Sequence, residues 1–274
     1  GEPLRASSEA IKDPFVVASA GAFKEVSSNP GLNPALGEDF IFFIWFKARK
    51  SPPDGESLAL MGKFDSTSEH RPGYALSLEG APDGVRPKIY WNDAEGHGRW
   101  YSLSSIPLRR KNWYLLAIVF SNDTFISAHA TVAGAEIEPM LLGGNRVEPL
   151  VIPHSNAAMV VGAFGSSRFR GQIGPFGVLR GKKLGKHVKE IVRSMAEEPN
   201  AIPSAVSTST IALWASPGED MGPHRVAIAN GAPQVRDVQP PVESHVREPS
   251  PRRVVKKGSN KARSEKTKGK TLKR

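Results

Sequence analysis

The sequence predicts an all-β chain, an antiparallel two-sheet β-sandwich of the jelly-roll type, and three observations predict it. Apolar segments of strand length recur from Pro14 to Val235, turn-forming residues separate them, and helical periodicity occurs once. The 274 residues include 23 prolines, 26 glycines and no cysteine. The fold is therefore held without disulfides, and thiols say nothing of the redox compartment. No apolar run approaches the roughly 18 residues that a membrane helix needs.

Val16–Ala20 and Ala22–Val26 open the series. Phe40–Lys47 follows, apolar on both parities: Phe40, Phe42, Ile44 and Phe46 on one, Ile41, Phe43 and Trp45 on the other. A strand of that kind is covered on both sides and lies centrally in its sheet. Strands are then expected at Leu58–Phe64, Gly73–Leu78, Lys88–Asn92, Arg99–Ser104, Trp113–Phe120, Phe125–Val132, Met159–Val161 and Phe169–Leu179. Pro52-Pro53-Asp54-Gly55, Pro82-Asp83-Gly84 and Ser121-Asn122-Asp123 supply turns between them. Leu184, Val188, Ile191, Val192 and Met195 share one helical stripe, which predicts an amphipathic helix over Leu184–Glu197, ended by Pro199 and packed on an edge or end of the sandwich. Thr210–Ala215 and Arg225–Ala229 are expected as two late strands, pairing back near the N-terminal ones.

The order of these pieces resembles the laminin G-like, concanavalin A-like jelly-roll family. Asp39–Phe46, with its Trp45, is similar to the family's early tryptophan strand, and Leu60–Phe64 and Gly73–Leu78 to the following pair. Lys111–Phe120 resembles the strand that opens with Trp. Met159-Val160-Val161-Gly162, then Phe169-Arg170-Gly171 through Leu179, and then a helix, is similar to the family's closing series. The resemblance spans about residues 15–200 and implies a recognition fold. It also implies calcium at a rim of the sandwich, for which Asp65, Asp93, Asp123 and Asn156 are the candidate oxygen ligands. Ordinary turn chemistry accounts for the same residues.

Charge is unevenly placed. Eleven of the 37 basic residues and one of the 27 acidic residues fall in 251–274, so the net +10 sits there and residues 1–250 are formally neutral. The basic residues are Arg252, Arg253, Lys256, Lys257, Lys261, Arg263, Lys266, Lys268, Lys270, Lys273 and Arg274. The composition divides the chain into an N-terminal extension, 1–13, a sandwich, 14–235, and a Pro-rich linker with a disordered basic tail, 236–274. Such a tail suits an acidic protein groove, an anionic lipid surface or another polyanion, and it is the part of the chain expected to meet nucleic acid. A start at Gly1 rather than Met suits an exported protein, periplasmic or secreted.

Catalytic signatures are missing. Glycoside cleavage by paired carboxyls needs them about 5–9 Å apart, but Glu38-Asp39 and Glu219-Asp220 are adjacent, and neighbours on a strand point to opposite faces. No G-x-S-x-G occurs, and the seven histidines form no zinc pattern. The reading is a non-enzymatic module. Tyr90, Trp91, Asn92, Asp93, His97, Arg99, Trp100 and Tyr101 concentrate aromatic and polar groups in one hairpin. Aromatic faces stack on sugar rings while the polar groups bond hydroxyls, so this hairpin is the expected contact with a glycan or protein surface through rim loops. Strand alternation argues that one of each adjacent aromatic pair belongs to the core. The alternative is an accessory structural subunit of a larger complex, docked by its tail.

Overall fold

A computed structural model describes residues 11, 14–17, 23–65, 69–92, 98–108, 112–121, 124–132, 140–146, 154–164, 167–200, 210–215 and 235–238; for 15–17, 124–132, 140–146, 210–215 and 235–238 it describes the backbone alone. Residues 1–240 form one compact unit; the second, 241–274, contains no described residue.

The strands are β1 (Phe15–Val17), β2 (Phe23–Val26), β3 (Asp39–Ala48), β4 (Ser57–Phe64), β5 (Gly73–Ala81), β6 (Gly84–Asn92), β7 (Gly98–Ser102), β8 (Trp113–Ser121), β9 (Thr124–Val132), β10 (Met140–Arg146), β11 (Met159–Val161), β12 (Ala163–Phe164), β13 (Ser167–Arg168), β14 (Gly171–Gly181), β15 (Thr210–Ala215) and β16 (Val235–Val238). They build an antiparallel two-sheet sandwich. One sheet runs β1-β14-β3-β8-β9-β10, with β15 also pairing β14; the other runs β16-β2-β11-β4-β5-β6-β7. A short hairpin, β12–β13, stands apart from both. Thr210–Ala215 is a strand as expected, although its partner is β14. β16 pairs β2, and its span, Val235–Val238, crosses the boundary between 235 and 236 at which composition divided sandwich from linker. The strand expected at Arg225–Ala229 lies outside the described residues.

Both parities of β3 are buried, as its sequence requires. Phe40, Phe42, Ile44 and Phe46 face the opposite sheet and join Tyr74, Leu76, Leu78, Ile89, Trp91, Leu116 and Ile118 in the core between the sheets. Ile41, Phe43 and Trp45 form a second cluster with Trp113, Leu115, Val119 and Leu179, and the helix closes it. A 3₁₀ turn, Leu184–His187, leads into α1 (Val188–Glu197). Leu184, Val188, Ile191, Val192 and Met195 are the buried stripe, as the periodicity predicts. The helix lies over β8 and β9 on the outer face of the first sheet, not on an edge or end. That position follows from the outer residues of β3 and β8, which have no other cover. Asp39 fixes the approach: one carboxylate oxygen accepts from Ser121 Oγ at 2.5 Å and the other from Gly185 N at 2.9 Å. Among the described residues no helix is long and apolar enough to cross a membrane.

Lys63 is fully buried. Its Nζ donates to the carbonyls of Ser155 and, at 2.8 Å, Ala157, tying the segment before β11 to β4. Burial without an acidic partner among the described residues lowers its pKa from 10.5 to about 8. Between those values the folded chain has released a proton that the unfolded chain still holds, so the cost of burying Lys63 is full below pH 8 and fades as pH rises to 10.5. Denaturant titrations across that window should show the native chain gaining on the order of 3 kcal/mol relative to a Lys63→Met variant. Parallel curves for the two proteins would mean that the amine titrates normally.

Candidate functional site

Register sorts the aromatic hairpin into two faces. β6 and β7 pair Tyr90 with Trp100 and Trp91 with Arg99, and residues directly opposite each other share a face. Trp91 points inward and is 1% exposed, its ring centroid 4.5 Å from that of Phe120. Tyr90 and Trp100 point outward with centroids 5.2 Å apart, and Trp100 is 44% exposed.

The outer face of the second sheet is hollowed because small residues on its middle strands lie beside large ones at its edge. Across β4, β5, β6 and β7 one row reads Ala59, Ser77, Lys88, Ser102; the next reads Gly62, Ala75, Tyr90, Trp100. Phe64 and Phe164 from the β12–β13 hairpin, centroids 4.5 Å apart, continue the same wall: the Tyr90 ring lies 6.1 Å from Phe64 and 6.2 Å from Phe164, and the Trp100 ring 6.0 Å from Phe164, so the four rings are one aromatic cluster beside the hollow. Ser167 Oγ donates to Ser57 O at 2.7 Å and anchors that hairpin. A Cβ at Gly62 would lie 2.8 Å from Phe164 Cδ2, so glycine there lets the ring settle against the sheet.

The result is a groove of about 470 Å³ lined by Ser57, Ala59, Phe64, Arg71, Ser77, Lys88, Tyr90, Trp100, Phe164 and Ser167. This falls within the range of ligand clefts, about 300–1,000 Å³. Lys88 reaches over the Trp100 ring, 5.7 Å from its centroid, and pairs with Glu79 at 2.9 Å. On the floor, Ser77 Oγ is buried and has no hydrogen-bond partner among the described residues. Native buried polar groups are rarely left so, and this one calls for an explanation.

Arg71 is held at the rim in the left-handed region, φ 50°. Asn92 imposes this: its Nδ2 donates to the carbonyls of His70 and, at 3.2 Å, Arg71, and to Tyr90 Oη at 2.9 Å. Tyr90 Oη in turn donates to Arg71 O at 3.3 Å.

The expected contact residues therefore separate. Tyr90 and Trp100 line the groove. Trp91 does not, because strand alternation turns it into the core. Arg99 and Tyr101 share its parity and project away from the groove; burial raises the Tyr101 pKa and the nearby Arg99 charge opposes that shift. Asn92 is buried and acts through Arg71 and Tyr90. Asp93 and His97 lie outside the described residues, as do Asp123 and the tail residues Arg252 to Arg274. Of the expected calcium ligands, Asp65 closes the β4–β5 connection through its backbone N–H to Pro72 O, 3.0 Å, and Asn156 is exposed before β11. Among the described residues no three His, Asp or Glu side chains gather as a metal site. The groove itself sits on a sheet face rather than at a rim. Ser77, Lys88, Arg71, Phe64 and Phe164 were not expected; the small outward residues of β4 and β5 are the signal that points to them.

No known family's model matches the sequence, and no curated protein does. Solved structures similar to the chain include tailspike protein 2 of Escherichia coli O157:H7 bacteriophage CAB120, at 12% identity and TM-score 0.45, over 77% of this chain and 30% of that one. The LG1-3 region of the laminin alpha2 chain matches at 11% identity and TM-score 0.42, over 57% and 30%. The CBM40 of Ruminococcus gnavus IT-sialidase, bound to alpha2,3 sialyllactose, matches at 11% identity and TM-score 0.39, over 59% and 86%. The chain thus spans under a third of the tailspike and laminin structures. The functional reading rests on the groove's own residues.

The two tryptophans should behave oppositely in thermal or denaturant unfolding. Trp91→Ala is expected to cost about 3–5 kcal/mol as a core cavity, whereas Trp100→Ala is expected to stay within about 0.5 kcal/mol of the native chain. A large loss at Trp100 would mean that its ring holds the sheet rather than a ligand.

Proposed function

We propose that this chain is a non-catalytic recognition module that binds a glycan in the outer-face groove of its second sheet. The observation that carries the reading is the pairing of a half-exposed Trp100 ring with a buried Ser77 hydroxyl that has no hydrogen-bond partner among the described residues, in one groove. A sugar presents an apolar C–H face and a fringe of hydroxyls, and the groove offers partners for both: the Tyr90 and Trp100 rings for the first, Ser57, Ser77, Lys88 and Arg71 for the second. Among the described residues no carboxylate lines it, and the nearby Glu79 is engaged by Lys88 and Arg86. An acid pair of the kind that cleaves glycosides is thus not available from the lining. Binding outside the cytoplasm suits such a module.

A second reading is favoured by one sequence observation, the concentration of the whole +10 charge in 251–274. On that reading the tail docks the chain to an acidic partner, and the sandwich is an accessory structural unit. The two separate experimentally. Glycan-array binding followed by calorimetry should find a ligand whose affinity falls about tenfold or more in Trp100→Ala and is unchanged when residues 241–274, beyond β16, are removed. Binding that needs the tail and ignores Trp100 would favour the second reading. Release of reducing sugar from a bound glycan would overturn the non-catalytic assignment.

A further inference from the structure

Phe64 and Phe164 wall the groove on one side, and they also wall a second hollow on the other. This neighbour has a volume of about 290 Å³ and is lined by Phe23, Glu25, Gly62, Ala158, Val160, Ala163 and Arg168, besides the two shared rings. Its construction repeats the first. Glu25, Val160 and Gly62 are register neighbours across β2, β11 and β4, with Ala158 and Ala163 beside them, and the Phe23, Phe64 and Phe164 rings complete the lining. The Arg168 guanidinium lies 5.6 Å from the centre of the Phe23 ring and is steadied by an Nη1 hydrogen bond of 2.9 Å to Ser167 O. Arg168 can donate to sugar hydroxyls and Glu25 can accept from them, while Phe23 and Phe164 offer apolar faces.

The two hollows are placed side by side across the strands. The first spans β4 to β7, and the second spans β2, β11 and β4 with the β12–β13 hairpin. In the order β2-β11-β4-β5-β6, four inter-strand spacings of about 4.8 Å separate β2 from β6, so roughly 19 Å lies between the Arg168–Phe23 end and the Tyr90–Lys88 end. A single sugar ring cannot touch both. The ridge of Phe64 and Phe164 between them is a further stacking surface rather than a barrier of charge.

We infer that the Phe23–Arg168 hollow is a second subsite of the same binding face, so that the ligand is a linear oligosaccharide laid across the strands of the second sheet, over the Phe64–Phe164 ridge. This rests on the glycan reading of the first groove and adds a chain-length requirement that the first groove alone does not impose.

The test uses the full-length chain and calorimetric titration with four oligosaccharide series, cello-, chito-, xylo- and galacturono-, each from disaccharide to hexasaccharide. In a series that binds, affinity should climb about tenfold from the shortest to the longest member. Arg168→Ala, which removes the donor, and Val160→Trp, which fills the hollow, should each return the hexasaccharide to the disaccharide's affinity. Trp100→Ala should weaken both lengths alike. Because one variant empties the hollow and the other plugs it, agreement between them does not depend on either alone, and circular dichroism checks that both remain folded. Equal affinity for short and long members, or a length dependence that survives both variants, overturns the second subsite and leaves the first groove standing. If no member of any series binds, the glycan reading itself fails and this inference fails with it.

Discussion

Strand β3 carries Phe40, Phe42, Ile44 and Phe46 on one face and Ile41, Phe43 and Trp45 on the other, and neither face can be left to water. Fully burying side chains of this size contributes roughly 1.5–3 kcal/mol each, so the chain must supply two covers. The second sheet is one, and α1 with its preceding 3₁₀ turn is the other. Each sheet has only two faces, and this arrangement uses three of the four available. The outer face of the second sheet is the one that no described helix covers.

On the proposed reading, that uncovered face is where a ligand is met. On an exposed antiparallel sheet the outward residues need not be apolar, and those of β4 and β5 are conspicuously small: Ala59, Gly62, Ala75 and Ser77. Larger side chains on β6 and β7 then rise as a wall, and the β12–β13 hairpin folds over β4 so that Phe164 meets the Tyr90 and Trp100 rings and extends that wall. The depression is therefore made by the sheet's own alternation and one short excursion, without long loops. It also explains how a formally neutral sandwich can offer positive groups locally, since Arg71, Lys88 and Arg168 line the hollows of this face.

Most strands, and the helix, were legible from local pattern because each obeys a periodicity contained in its own residues. Thr210–Ala215 and the buried stripe of α1 follow directly from alternation and from 3.6-residue spacing. Where α1 packs was not legible, because that depends on which distant surface lacks cover. The hairpin 90–101 was identified as aromatic and polar, but the division of its rings between core and groove required the β6–β7 register: a shift of one residue would have exchanged Trp91 for Tyr90. The groove was least legible. Its floor comes from residues 59–77 and its aromatic wall from 64, 90–100 and 164, and two-residue strands such as β12 and β13 have too few positions to show any period.

The left-handed turn at Arg71 bears on how quickly a ligand is caught. A non-glycine residue held there costs about 1–3 kcal/mol against its relaxed conformations, and the Asn92 amide and Tyr90 hydroxyl offset that cost within the folded chain. The rim backbone is thus pre-set before any encounter, and no refolding of this turn separates collision from complex. On the proposed reading, discrimination among related ligands would then be expressed in dwell time rather than in capture rate.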